Sequence, residues 1–187
     1  KLGGAYSSAS HFQSSMESYS QALALLENLH DLKSCARITH VLSFAVEKAK
    51  GARDAIQVLR RGLKYVEGAP ESFEAAAIYS RLAFFLAVMD EYGEANTWCE
   101  RAREAGERSG NYDAVSEALV SMGAYFTDTG RIDEGLQLLD RGLEVALQHD
   151  LHDQAGNAFL NLAFYVYPRD LSKARGYASR LFELEKR

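Results

Sequence analysis

The chain has 187 residues, of which 47% are hydrophobic and 25% charged, and this balance excludes an intrinsically disordered protein. The formal net charge is −5, which argues against a nucleic-acid partner, because a phosphate-binding surface needs clustered Lys and Arg. No apolar run approaches the roughly 20 residues that a membrane-spanning helix requires, so we expect no membrane partner. Two cysteines, Cys35 and Cys99, are too few for a disulfide framework and indicate a reducing, cytoplasmic location.

The helical period of the apolar residues predicts nine helices along the chain. These helices cover about 5–30, 32–50, 52–68, 71–89, 92–109, 111–129, 132–149, 151–167 and 171–186. The only two prolines, Pro70 and Pro168, fall at helix boundaries, where a missing backbone donor does no harm. Gly51, Gly110 and Gly130 stand at helix breaks, where glycine can adopt the left-handed conformation. With no strand-like alternation, the sequence predicts an all-α fold.

A repeat of about forty residues organises these helices. Its anchor is a small residue at Ala55, Ala95, Gly135 and Ala174, and these positions are 40, 40 and 39 residues apart. A second small residue precedes each anchor by eleven or twelve positions, and a third follows the first three anchors by seven. These further small residues are Ser43, Ala83, Gly123 and Ala163, then Gly62, Ala102 and Gly142. In the fourth unit, Leu181 occupies the position of the third small residue. Short side chains at these positions predict a close approach of two antiparallel helices.

This arrangement resembles the tetratricopeptide repeat (TPR) family, in which small residues recur at the eighth, twentieth and twenty-seventh positions. The usual unit has about 34 residues, and helices of about 17 residues would account for the longer period here. The resemblance implies a right-handed α-α superhelix, a TPR-like solenoid of about nine helices. It also implies a single repeat domain over 1–187. That domain comprises a half unit at 5–30 and units at about 32–68, 71–109, 111–149 and 151–186.

The resemblance further implies a concave face, formed by the first helix of each unit. In each unit a large apolar residue directly precedes the first small residue. The groove positions lie two residues before that apolar residue, two residues after it and five residues after it. Carried onto this sequence, the candidate protein-binding face comprises His40, Phe44, Glu47, Ser80, Phe84, Ala87, Val120, Ala124, Thr127, Leu160, Phe164 and Tyr167. Phe44, Phe84 and Phe164 share one repeat position. Such a row of aromatic rings suits an apolar peptide or helix, or else packs between adjacent first helices.

Sequence motifs for catalysis and for cofactor binding are absent. There is no glycine-rich phosphate loop and no Gly-x-Ser-x-Gly elbow, so we expect a protein that is not an enzyme and holds no cofactor. His149, Asp150, His152 and Asp153 are metal-ligating residue types. They span a predicted turn, where such ligands rarely converge, and we expect no metal. The Lys and Asn residues with which some TPR proteins bind a C-terminal carboxylate do not recur here.

Three functional hypotheses follow from the repeat. The first is a non-catalytic interaction scaffold that binds a protein or peptide segment on the concave face. The second is a sensor or regulatory region of a larger bacterial signal-transduction ATPase or transcriptional regulator, because residues 129–136 (TGRIDEGL) resemble such regions. The third is self-association as a homodimer through uncapped ends, with Tyr177, Leu181 and Leu184 as contacts. Since the chain starts at Lys1 without Met, we expect a fragment of a longer protein.

Overall fold

The computed structural model describes the backbone of residues 2–184 and the side chains of residues 12–184. Nine α-helices and no β-strand occur within that backbone range. The helices are α1 (Leu2–Asn28), α2 (Leu32–Lys50), α3 (Ala52–Gly62), α4 (Phe73–Val88), α5 (Tyr92–Ser109), α6 (Tyr112–Asp128), α7 (Ile132–Gln148), α8 (His152–Val166) and α9 (Leu171–Leu184). The predicted all-α, TPR-like solenoid is confirmed. The predicted end of the last helix, at 186, lies outside the described residues.

The predicted helix boundaries agree with the structure to within two residues for α2 and for α4 to α8. The largest error concerns α3, which was predicted to reach 68 and ends at Gly62, followed by a short 3₁₀ helix, Leu63–Tyr65. The chain then turns, Val66 packs into the core, and the turn contains the poor helix formers Gly68 and Pro70. The next helix begins after Ser72, whose Oγ accepts a hydrogen bond from the backbone N–H of Ala75 at 3.2 Å.

The helices pack in pairs, α2 with α3, α4 with α5, α6 with α7 and α8 with α9. The second helix of each of the first three pairs also packs against the first helix of the next pair, and α1 packs against α2 in the same way. The first helices contact one another in series, from α2 through α4 and α6 to α8. We call the surface that these four helices share the first-helix face. Eleven of the twelve candidate residues lie on these four helices, and Tyr167 directly follows α8.

The paired helices α6 and α7 approach each other closely. A Cβ atom added to Gly135 would lie 2.6 Å from the backbone oxygen of Gly123 and 2.7 Å from the backbone nitrogen of Thr127. The Ser116 hydroxyl donates a hydrogen bond to the backbone oxygen of Gly142 at 2.9 Å. The two helices therefore touch through their backbones, which is the close approach that the small residues predicted.

Many polar contacts between successive units have a sequence separation of 36 to 38 residues. These pairs are Glu27–Lys64, Arg37–Glu74, Phe73–Asn111, Asp128–Tyr165, Asp133–Arg169 and Asp140–Tyr177. The separation is slightly shorter than the forty-residue repeat, so each pair links one unit to the next. Asn111 shows how two roles combine. Its Nδ2 donates to the backbone oxygen of Phe73 at 2.8 Å, while its Oδ1 accepts from the backbone N–H of Ala114 and caps α6.

Candidate protein-binding surface

The twelve candidate residues differ strongly in exposure. Ser80 and Val120 are only 1% and 3% exposed. Ser80 is buried where α4 packs on α6, so it does not line the surface as predicted. Val120 packs mainly against α7 and α8 but still lines a cavity on this face. The partly buried members are His40, Glu47, Phe84, Ala87, Ala124 and Thr127. The exposed members are Phe44, Leu160, Phe164 and Tyr167. Most of the exposed apolar surface therefore lies on the fourth unit.

Arg81 of α4 bridges the phenylalanines of the first two units. The carbon at the centre of its guanidinium lies 3.9 Å from the ring centroid of Phe44 and 5.4 Å from that of Phe84. Arg81 also forms an ion pair with Glu117 of α6 at 3.0 Å, and the two side chains are only 12% and 5% exposed. Cation–π attraction and ion pairing therefore hold Arg81 in place over the Phe44 ring.

Burial dominates the electrostatics around this ion pair. It raises the pKa of Glu117, and the nearby positive charge of Arg81 and the Ser80 hydroxyl oppose that rise. Within the described residues, Arg81 Nε and Glu117 Oε2 have no hydrogen-bond partner. Burial, and secondly the charge of Arg81, lower the pKa of His40 to about 4, so this imidazole is neutral at pH 7. The N-terminal half of the first-helix face is thus a packed layer that includes buried polar groups.

A cavity of about 170 Å³ lies farther along the first-helix face, between α4, α6 and α8. We call it the tyrosine pocket, and its main lining residues are Phe84, Tyr92, Tyr125, Asp128, Asn157 and Asn161. The rings of Tyr92 and Tyr125 stack with their centroids 4.8 Å apart. The amides lie on the opposite helix, where Asn161 Nδ2 donates to the backbone oxygen and to Oδ1 of Asn157 at 2.8 and 3.0 Å.

The fourth unit presents a large exposed apolar surface next to this pocket. Leu160, Phe164 and Tyr167 are 59%, 70% and 63% exposed, and they line a second cavity of about 720 Å³. Asp128 lines both cavities, so the two are neighbours on one surface. Contiguous exposed apolar side chains of this kind mark interaction sites on proteins.

The family comparison agrees with the fold. Residues 74–148 match the tetratricopeptide repeat family. The chain has a TPR-like fold, and residues 74–148 carry the repeat that the family model describes. Among solved structures, the crystal structure of BtubC (BKLC) from P. vanneervenii resembles this TPR-like chain with a TM-score of 0.73. That likeness covers 94% of this chain and 74% of BtubC, at 19% sequence identity, and it supports the shared fold. No curated protein sequence matches significantly. TPR repeats generally mediate protein–protein interaction and are typically not catalytic.

Sequence reasoning missed several residues that define this TPR-like surface. Arg81 and Glu117 were not predicted, although their separation of 36 residues is the one that recurs between neighbouring units. Tyr92, Tyr125 and Asp128 were also missed, because the tyrosine pocket combines side chains from four helices. For the ion pair and for the pocket, the useful sequence signal is a pair of positions separated by slightly less than the forty-residue repeat of this chain.

The histidines near the α7–α8 turn do not come together as ligands. The His149 ring stacks on Tyr112, with centroids 3.6 Å apart. Within the described part of the TPR-like chain, no three His, Cys, Asp or Glu side chains are grouped as metal ligands. None of the helices described here is long and apolar enough to span a membrane.

Proposed function

We propose that this TPR-like chain acts as one repeat domain, a non-catalytic scaffold in the cytoplasm that binds a protein or peptide segment on a concave first-helix face. The observation that carries the proposal is the exposed apolar surface of Leu160, Phe164 and Tyr167 beside the tyrosine pocket. Binding is expected to concentrate in the C-terminal half of the face, because Arg81 already lies against Phe44 in the other half. The buried free cysteines Cys35 and Cys99 suit a reducing compartment.

The test uses a double variant with a matched control. Leu160→Ala/Phe164→Ala removes apolar surface from the first-helix face, whereas Leu25→Ala/Phe12→Ala removes exposed residues of the same types from α1. Partners captured from a cell extract are purified and titrated by calorimetry. We expect the first variant to weaken binding by about tenfold or more, since central apolar residues dominate interface energies. The control should stay within about twofold of wild type. Equal affinities for the two variants would reject the proposal.

Self-association is a second candidate because α9 carries exposed apolar residues, Leu171 and Phe182. Leu181 and Leu184 line a cavity of about 430 Å³ beside α8. Tyr177 is not available for such a contact, contrary to the sequence-based hypothesis. It is buried, and its hydroxyl donates to Asp140 Oδ1 at 3.0 Å. Light scattering on the same samples decides the point, because a monomer mass at high concentration excludes the homodimer.

The regulatory alternative, a sensor region of a larger bacterial signal-transduction ATPase or transcriptional regulator, stays a prediction. It rests on residues 129–136 of the sequence. In the structure these residues form the turn after α6 and the start of α7. The parent reading frame would decide it, because a regulatory region of this kind adjoins an ATPase, cyclase or DNA-binding domain.

A further inference from the structure

The tyrosine pocket has an unbalanced negative charge. Asp128 is the one charged residue among those that line it. Asp128 Oδ1 accepts a hydrogen bond from the Tyr165 hydroxyl at 2.9 Å, and the nearby Asp90 Oδ1 accepts one from Tyr92 at 2.6 Å. Among the described side chains, neither carboxylate forms an ion pair with Lys or Arg. Neutral hydroxyl groups therefore stabilise both carboxylates without cancelling their charge.

The two carboxylates lie close enough to act on the same tyrosine. The hydrogen bond to Asp90, some burial, and the charges of Asp90 and Asp128 raise the pKa of Tyr92 to about 12. Tyr92 therefore stays neutral at pH 7. The local field at this end of the pocket is negative, and it favours a cation over an anion.

The remaining walls suit an apolar stem. Phe84, Val88 and Ala124 supply carbon surface, and Tyr92 and Tyr125 supply aromatic rings, which attract cations through their quadrupoles. The cavity has a volume of about 170 Å³. That space can hold one long side chain.

We propose that the tyrosine pocket binds one Lys or Arg side chain of the partner segment, with its cationic head at Asp128. The stem then packs on Phe84 and Ala124, and apolar residues that flank the cation in the partner contact Leu160 and Phe164. This order follows from the position of Asp128, which lines both the tyrosine pocket and the adjoining apolar cavity. The inference rests on the proposed function and specifies the chemistry of its partner.

An acidic partner residue fits the same place poorly. A carboxylate would face Asp128 with no lining cation to compensate either charge. Arg169 lines the neighbouring cavity, but its Nη1 atom already lies 3.2 Å from Asp133 Oδ1. Like charges at short range repel, so the pocket disfavours an acidic side chain.

The experiment selects peptides from a random twelve-residue library displayed on phage, with the full chain as bait. We expect enrichment of Lys and Arg next to apolar residues on the wild type, and loss of that enrichment on Asp128→Asn. A selected peptide and its copy with norleucine at the basic position are then titrated by calorimetry. The basic peptide should bind Asp128→Asn about tenfold more weakly than wild type, as expected for a hydrogen bond to a charged group. The norleucine copy should bind both proteins equally.

Two control variants separate charge from structure. Asp54→Asn removes an equivalent carboxylate from the exposed surface of α3 and should leave binding unchanged. Tyr165→Phe removes the hydrogen bond to Asp128 but keeps the charge, so it should retain the preference for Lys and Arg. Loss of that preference in Tyr165→Phe, or equal binding of the basic peptide to wild type and Asp128→Asn, would overturn the inference.

The outcomes also distinguish this inference from the proposed function. Selected peptides that lose affinity on Leu160→Ala/Phe164→Ala but show no enrichment of Lys or Arg would overturn the inference and leave the scaffold function standing. A selection that enriches no peptide above an uncoated control would overturn both. So would selected peptides whose affinity is unaffected by that double variant.

Discussion

Phe84 of α4 and Phe164 of α8 occupy the same repeat position, eighty residues apart, but their surroundings differ. Phe84 is partly buried, lies 5.4 Å from the Arg81 guanidinium, and has α6 packed beside its helix. Phe164 is exposed to solvent. The repeat position therefore determines where a side chain points, whereas its neighbours determine whether it is accessible.

The polar residues that lie three positions before these phenylalanines show the same difference. Arg81 is buried and paired with Glu117 of the next unit. Asn161, also eighty residues farther along, donates only within its own helix, to Asn157. The α4–α6 region thus uses its polar groups to join two units. The α8 region leaves its amides at the edge of the tyrosine pocket. We infer that the Arg81–Glu117 pair serves stability, whereas the surface beside Asn161 serves binding.

The largest expected effect comes from removing the buried cation. Arg81→Met leaves Glu117 buried without its counter-charge, which should cost about 3–5 kcal/mol in the free energy of unfolding. Asn161→Met at the equivalent position of α8 should cost less than about 1 kcal/mol, because that side chain bridges no helices. Urea denaturation at pH 7 measures both. Similar losses in the two variants would contradict the distinction between the regions.

Measuring the free energy of unfolding of Arg81→Met at two pH values provides a control for this prediction. Burial raises the folded-state pKa of Glu117 above its unfolded value, so the associated stability is present at low pH and is lost as the pH rises through the folded pKa. Without Arg81 that pKa rises further, and the destabilisation should shrink as the pH is lowered from 7 towards 5. The double variant Arg81→Met/Glu117→Leu should recover most of the loss at pH 7. A loss that is the same at both pH values would contradict this account.

The fold was predictable because its determinants lie within one unit. The positions that Gly123, Gly135 and Gly142 occupy in the third unit also hold small residues in other units. The helical period of the apolar residues is likewise a local property. The early end of α3 was not predictable from periodicity, since it depends on Val66 packing into the core. Regular patterns thus predict the helices, while irregular turns depend on tertiary contacts.

The candidate surface was less predictable because it depends on contacts between units. Ser80 and Val120 were assigned from repeat position alone, yet Ser80 is buried between α4 and α6, and Val120 packs against α7 and α8. The Arg81–Glu117 pair needs the relative rotation of two helices, which one sequence does not specify. Asp128 becomes a candidate only when α5 and α8 bring Tyr92 and Asn157 to the same cavity.

A smaller effect is expected from truncating the two equivalent phenylalanines. Phe84→Ala removes partly buried contacts with Arg81 and Phe85 and should lower the free energy of unfolding by about 2–3 kcal/mol. Phe164→Ala removes a ring that is mostly in solvent and should change it by less than about 0.5 kcal/mol. Thermal and urea unfolding of the single variants provide the comparison. If Phe164→Ala were the more destabilising change, α8 would not be the open region.

The smallest effects should distinguish the tight pair α6–α7 from the looser pair α8–α9. Gly135→Ala places a Cβ atom 2.6 Å from the backbone oxygen of Gly123, so we expect a loss of about 1–2 kcal/mol despite the better helix propensity of alanine. Gly176 of α9 has no atom within 4 Å of the added Cβ, and Gly176→Ala should stabilise by about 0.5–1 kcal/mol. If Gly→Ala destabilises the protein in α7 but stabilises it in α9, then backbone contact, and not helix propensity, is what requires glycine in α7. Stabilisation of both variants would mean that the close approach of α6 and α7 relaxes at little cost.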